Sequence, residues 1–326
     1  MQKATIFIQI LCRILLVVAV LQSCGQRAEY ARLTGYAQGG LYSVIYNCDG
    51  VTVPQNELQA GVDSILAAID SSLSGYNKSS ILSRYNAGEN PQTDDVFDEM
   101  MSLAHKYKVE TGGALDCAAG PLFDIWGFGF EGDSFPDSST VFEAKSLASL
   151  EKSFNFNAIA QGYSCDLVAS YLRGMGVEDM LVDIGEIYCC GVNASGNPWT
   201  IGVDSPFDGN ENPGQSLQDI VFAPETGCGI VTSGNYRKFY VRDGKKYAHT
   251  IDPRTGYPVM HNLLSATIIA PTATDADAYA TYCMVIGLDE AREFIESRDD
   301  LEGYLIYDDG GGMSEWHSAG FELKTE

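Results

Sequence analysis

The order of strand-like and helix-like stretches constrains this chain most. Segments rich in β-branched or aromatic residues, bounded by Gly, Asn, Asp or Pro, run over 41–47, 181–192, 229–232, 264–270 and 303–307 and read as strands. Helical periodicity runs over 55–73, 94–109, 162–173, 274–286 and 289–296. The first of these shows it in Leu58, Val62, Ile65, Leu66, Ile69 and Leu73. The two kinds do not alternate as in a βαβαβ unit, so a doubly wound parallel sheet fits poorly. An α+β architecture, with mixed sheets and packed helices, fits better. Residues 205–219 read as a polar, turn-rich loop between strands. At 326 residues and 45% hydrophobic, the chain can bury a sizeable core in one large domain or two ordinary ones.

The N-terminus reads as targeting. Lys3 and Arg13 precede the apolar run Ile14–Leu21, which is too short to span a bilayer alone. It ends in Leu21-Gln22-Ser23-Cys24-Gly25, which resembles the lipobox of bacterial lipoproteins, where cleavage before the Cys frees a thiol for acylation. The alternative is an uncleaved N-terminal anchor. Either way the globular part is expected outside the cytoplasm, tethered to a membrane. Residues 1–23 are then a signal peptide, 24–35 a tether and 36–326 the functional domain. Cys12 and Cys24 set aside, seven cysteines remain, with no CxxC pair or zinc-like spacing. Most sit in apolar strings and read as buried thiols, with room for one disulfide.

Charge narrows the partners. Lys+Arg is 20 against 44 Asp+Glu, a formal net charge of −24. Loss of residues 1–23, with Lys3 and Arg13, makes it −26. Such a surface repels phosphate backbones, which argues against nucleic acid. An anionic substrate would need its charge neutralised, and a divalent cation is the obvious candidate.

Several strings carry possible chemistry. Gly127-Phe128-Gly129-Phe130-Glu131-Gly132 matches G-x-G-x-x-G, but no convincing strand leads in and no helix with a suitable acid follows, so it reads as a glycine-rich loop. Asp277 and Thr281 lie four apart in a helical segment, which puts a carboxylate and a hydroxyl on one face. Both are hard donors suited to Mg²⁺. The same stretch also reads as a plain helix start, with Thr274 or Asp275 as N-cap. His249, one of four His in the chain, precedes the Pro/Gly-punctuated loop Asp252-Pro253-Arg254-Thr255-Gly256. Thr232-Ser233-Gly234-Asn235-Tyr236-Arg237 offers hydroxyls and N–H groups at a strand end. Residues 156–166 run from an extended segment into a helix through small residues, where a ligand can approach the backbone.

Taken in order, these strings resemble the ApbE family of FAD:protein FMN transferases. The matching blocks are Tyr76 with Ser80–Asn86, Thr111–Asp116, Gly120–Phe123 with Trp126–Gly129, Ala158–Tyr163, Thr232–Arg237, His249–Gly256 and Ala276–Thr281. The resemblance implies a Mg²⁺ site at the Ala160 carbonyl and the Asp277 and Thr281 side chains. It implies FAD contacts at Gln38, Tyr76, Ala114, Leu115, Asp116, Asn157, Tyr163 and Ile251, with His249 assisting catalysis. Asn155 and Asn157-Ala158 depart from the family's common Asp and Gly pair, and Gln38 replaces a frequent Met.

The implied reaction moves the FMN moiety of FAD onto a Thr or Ser hydroxyl of an acceptor flavoprotein and releases AMP. The family's acceptor pattern resembles Asp-Gly-x-Thr-Gly-Ala-Thr/Ser, which this chain lacks, so the acceptor is expected to be another protein. The implied location is the periplasmic side of a bacterial membrane. Two other readings stay open on the sequence: a Mg²⁺-dependent FAD pyrophosphatase giving FMN and AMP, and a non-catalytic FAD-binding lipoprotein.

Overall fold

The computed structural model describes residues 28–128, 135–210, 212, 214–236, 239–242 and 245–324, with Arg242, Lys245 and Lys246 described by backbone alone. Eight strands make one sheet, in the order β1 (Tyr30–Ala37), β2 (Gly40–Asn47), β3 (Met180–Asp183), β4 (Ile187–Cys190), β7 (Cys228–Gly234), β12 (Leu263–Ala270), β13 (Glu302–Asp308) and β14 (Met313–His317). Every neighbouring pair is antiparallel. Three two-stranded ribbons complete the strands: β5 (Thr200–Asp204) with β6 (Leu217–Phe222), β8 (Phe239–Arg242) with β9 (Lys245–Ala248), and β10 (Ile251–Asp252) with β11 (Tyr257–Pro258). The helices are α1 (Gln55–Leu73), α2 (Ile81–Asn86), α3 (Asp95–Glu110), α4 (Gly120–Ile125), α5 (Ser138–Ala148), α6 (Ala160–Gly174), α7 (Ala273–Ile286) and α8 (Leu288–Glu296).

The two-residue period of the strands sorts the core. Tyr188, Cys190, Val231, Ile268 and Leu305 face the layer of α1, α6 and α7, joining Leu58, Val168 and Ala280. Cys189, Ile230, Ile269, Tyr304 and Ile306 face the other side, where β5, β6 and Phe321 cover them. A smaller cluster of Leu122, Trp126, Val141, Ala144 and Ile251 holds α4 and α5 against β10. There the Trp126 indole N–H donates to the Gly256 carbonyl at 2.9 Å.

The α+β reading stands, with corrections. The stretch 181–192 is not one strand: Gly185, at φ 95°, turns β3 back into the antiparallel β4. Residues 30–35, expected in the tether, belong to edge strand β1, whose one fully buried residue, Leu33, gives little periodic signal. The N-cap of α7 is Thr272, earlier than expected, and it exchanges bonds with Asp275 in both directions (2.8 and 3.0 Å). The seven described cysteines are all free, six buried and Cys48 partly so. Residues 1–27, Cys24 among them, residues 129–132 of the glycine string, and Arg237 lie outside the described residues.

Candidate functional site: the crossing of two helix starts

Helices α6 and α7 meet at Gly162. A Cβ there would lie 2.2 Å from the Ala273 carbonyl oxygen and 2.9 Å from the Asp277 Cβ, so only glycine permits this approach. The Gly162 N–H donates to Asp277 Oδ2 at 3.0 Å. One turn on, Asp166 accepts from the Ala273 and Thr274 N–H groups, both at 2.8 Å, and from the Thr274 hydroxyl. A carboxylate of one helix thus caps the other, which fixes the two starts relative to each other.

Asp277 is the buried charge of this crossing. Burial pushes its carboxyl up to about 7; the Gly162 N–H opposes the shift and the nearby Asp166 charge adds to it. Thr281, one turn further along α7, has its hydroxyl 3.4 Å from Ser233 Oγ on β7. Ala160 opens α6, and its carbonyl accepts from the Ser164 hydroxyl at 2.7 Å. Ser164 in turn accepts from Gln38 Nε2 at 2.5 Å. Gln38 sits in the β1–β2 turn at φ 51°. Gln38, Ala160, Asp277 and Thr281 are therefore gathered around the opening of α6.

The end of β7 links this group to His249. Two residues beyond Ser233, Asn235 accepts from the Thr250 hydroxyl at 2.6 Å. His249 follows β9 and meets the Phe128 ring edge to face at 6.2 Å. Asp252 holds the loop that follows: Arg254 Nε and its N–H donate to Oδ1 at 3.0 and 2.9 Å, and the Gly256 N–H reaches its carbonyl at 2.7 Å.

The remaining positions divide by exposure. Tyr76, between α1 and α2, is 72% exposed, and Asn157 is exposed at the entry to α6. Ala114, Leu115, Tyr163 and Ile251 are buried, and the Leu115 and Tyr163 N–H groups are already bonded to the Thr111 hydroxyl and the Ile159 carbonyl. The Tyr163 hydroxyl is committed to Glu99 at 2.6 Å. Asp116 lies 3.0 Å from the Lys108 ammonium and caps the Ala118 N–H at 2.9 Å. The 114–117 segment meets the approach to α6 where the Asn155 N–H donates to the Cys117 carbonyl at 2.8 Å.

Sequence reasoning did not single out Asp166, Ser164, Glu99 or Lys108. A signal existed for Asp166, which follows Gly162 by four and so shares its helix face. Glu99 and Lys108 read as ordinary members of a solvated helix, and nothing local marks them.

The donors available to a cation are all oxygens: a carboxylate, a hydroxyl and a carbonyl. Among the described residues no three His, Cys, Asp or Glu side chains converge. This set does not make a self-sufficient cage. It fits Mg²⁺, which keeps several water or phosphate ligands. A buried carboxylate whose charge is otherwise disfavoured is also one that a cation stabilises.

A helix-covered antiparallel sheet with an oxygen-donor site at a helix crossing defines an α+β protein whose site suits a hard cation. The chain belongs to the ApbE family, whose model matches residues 39–305. It is 31% identical to the FAD:protein FMN transferase of Haemophilus influenzae over 94% of each chain. To that of Escherichia coli K12 it is 33% identical over 82% of this chain and 81% of the relative. Among solved structures, the flavin transferase ApbE from Vibrio cholerae matches with a TM-score of 0.78 and 30% identity, over 90% of this chain and 98% of that one. The apo flavinyl transferase ApbE of Pseudomonas stutzeri matches with the same TM-score at 29% identity, over 90% and 95%.

Proposed function

We infer that this chain transfers the FMN moiety of FAD to a Thr or Ser hydroxyl of an acceptor flavoprotein, releasing AMP. One observation carries the chemistry: the buried Asp277 carboxylate, aligned by the Gly162 N–H beside Thr281 and the Ala160 carbonyl, where an anionic phosphate bridge needs a cation. Relatives that match over nearly their whole length and are named FAD:protein FMN transferase support the same reading.

Ala160, Asp277 and Thr281 would hold Mg²⁺, which when bound offsets pyrophosphate charge as the bridge breaks. The exposed Tyr76 ring and Asn157, the Gln38 amide, Asp116, Ala114, Leu115, Tyr163 and Ile251 would position FAD, because the reaction depends on alignment more than on covalent help from the protein. The acceptor oxygen bonds to the FMN phosphorus, the bond to the AMP oxygen breaks, and AMP leaves. His249 takes the hydroxyl proton, or else orients the acceptor or a phosphate oxygen. Loss of a general base typically costs about 10²–10⁴ in rate.

Incubation with FAD, Mg²⁺ and a threonine acceptor peptide of the family pattern should leave flavin fluorescence covalently on the peptide. His249→Ala should slow this by that factor while FAD still binds. Free FMN alone would make the protein a pyrophosphatase, and unchanged FAD would make it a binder.

The lipobox-like Leu21–Cys24 supports a lipid anchor at Cys24 facing the periplasm. Intact mass of membrane-extracted protein should show loss of residues 1–23 and an acyl-glyceryl adduct. A mature chain beginning at an unmodified Met1 would rule this out.

A further inference from the structure

The sheet divides the described cysteines between its two faces. Cys48, Cys117, Cys165, Cys190 and Cys283 lie in or against the core on the helix side. There the Cys165 and Cys190 thiols donate to the Glu186 and Glu178 carbonyls at 3.0 and 3.1 Å. Cys189 and Cys228 lie on the other face, in the core beneath β5 and β6. Both are buried free thiols, and the register of β4 and β7 sets them directly opposite each other.

That register suits a covalent bond. Directly opposed residues of an antiparallel pair have Cα atoms about 4.5 or 5.5 Å apart, according to the kind of pair. Both spacings fall within the span of about 4.4–6.8 Å that a disulfide bridges. Their Cβ atoms, typically about 4.5–5.5 Å apart, need draw together by no more than about 1 Å. The Cys228 side chain, ahead of burial, pushes the Cys189 thiol well above its ordinary range, as a close neighbour does. Cys190 is next in sequence but does not compete, because strand alternation turns it to the opposite face.

We propose that Cys189 and Cys228 form a disulfide in an oxidising thiol–disulfide couple, stapling β4 to β7 and closing the excursion of β5 and β6 into a loop. The oxidant is an external disulfide, of a small molecule or of a protein. Cys228, which follows the exposed turn 224–226, loses its proton and attacks one sulfur of the oxidant, expelling a thiolate. Cys189 then loses its proton and attacks Cys228 Sγ of the mixed disulfide, expelling the second thiolate. Two protein thiols are oxidised, and one disulfide is reduced to two thiols that take up the protons. Buried thiols are inert, so the exchange belongs to folding, before β5 and β6 cover the pair. The bond then restricts the unfolded chain, which stabilises the fold. It also fixes the strand whose far end carries Ser233 to Thr281.

The test refolds the full chain in a reduced and oxidised glutathione couple, alkylates it in denaturant without reductant, and cleaves before Asp. Asp204, Asp208 and Asp219 lie between the two cysteines and put them on different peptides. Mass spectrometry should find those peptides joined, and separate after reduction. The link should persist in Cys190→Ala and vanish in Cys189→Ala, with Cys228 then alkylated. Reductant should lower the denaturant midpoint of the parent and leave that of Cys189→Ala with Cys228→Ala unmoved. Alkylation of both cysteines in the parent overturns the proposal, as does a link from Cys228 that survives in Cys189→Ala. A parent midpoint indifferent to reductant, with the link present, overturns the stapling role.

Discussion

At the residue scale, Asp277 ties the chemistry to stability. Without a cation the folded state holds its proton more tightly than the unfolded chain does, because burial raises the carboxyl to about 7 from an ordinary value near about 3.9. Between those values the folded state binds more protons, so this group's contribution to stability falls as pH rises through the window. Asp277→Asn removes that titration. In chelator, the variant should gain at least about 1 kcal/mol on the parent between about pH 5 and about pH 8, since a tenfold change in proton affinity is worth about 1.4 kcal/mol. Mg²⁺ should stabilise the parent at the upper pH and leave the variant unmoved. Denaturant melts at the two pH values measure this, and a parent–variant difference flat in pH would contradict it. The Asp277–Thr281 spacing was legible in sequence as two donors on one helix face. Their partners were not, because the Gly162 N–H and Ser233 Oγ come from elements 115 and 48 residues away.

At the element scale, the site depends on how closely α6 and α7 approach. Gly162→Ala forces a Cβ to within 2.2 Å of backbone, which no flexible side chain can relieve. The expected cost is about 1–3 kcal/mol, with weaker Mg²⁺ binding because the N–H that aligns Asp277 is displaced. Unfolding midpoints together with Mn²⁺ titration followed by electron paramagnetic resonance would check both effects. Parent-like values in both would mean that Gly162 does not set the approach. The long elements α1 and β12 were readable because the first carries a sustained period of burial and the second β-branched residues. The short ones were not. Helix α4 has six residues beginning Gly-Pro, and β10 and β11 have two residues each, too few to establish any period. Their pairing is set by tertiary contacts such as the bond from Trp126 to Gly256.

At the scale of the whole molecule, one antiparallel sheet carries a helix layer on one face and a ribbon on the other. The opening of α6, the turn of α7 from Asp277 to Thr281 and the end of β7 then lie together on the helix face. The irregular order of strands and helices foretold the α+β class, whereas the strand order did not follow from sequence: β4 pairs with β7 across an excursion containing all of β5 and β6. The account's central claim is that an acceptor hydroxyl, and not water, takes the FMN phosphoryl group. The ratio of AMP released to flavin covalently bound, measured on one reaction with FAD, Mg²⁺ and a threonine acceptor, tests it most directly. The account predicts one AMP per covalent flavin, and no AMP beyond background when the acceptor threonine is replaced by alanine. AMP released in excess, matched by free FMN and indifferent to the acceptor, would contradict it.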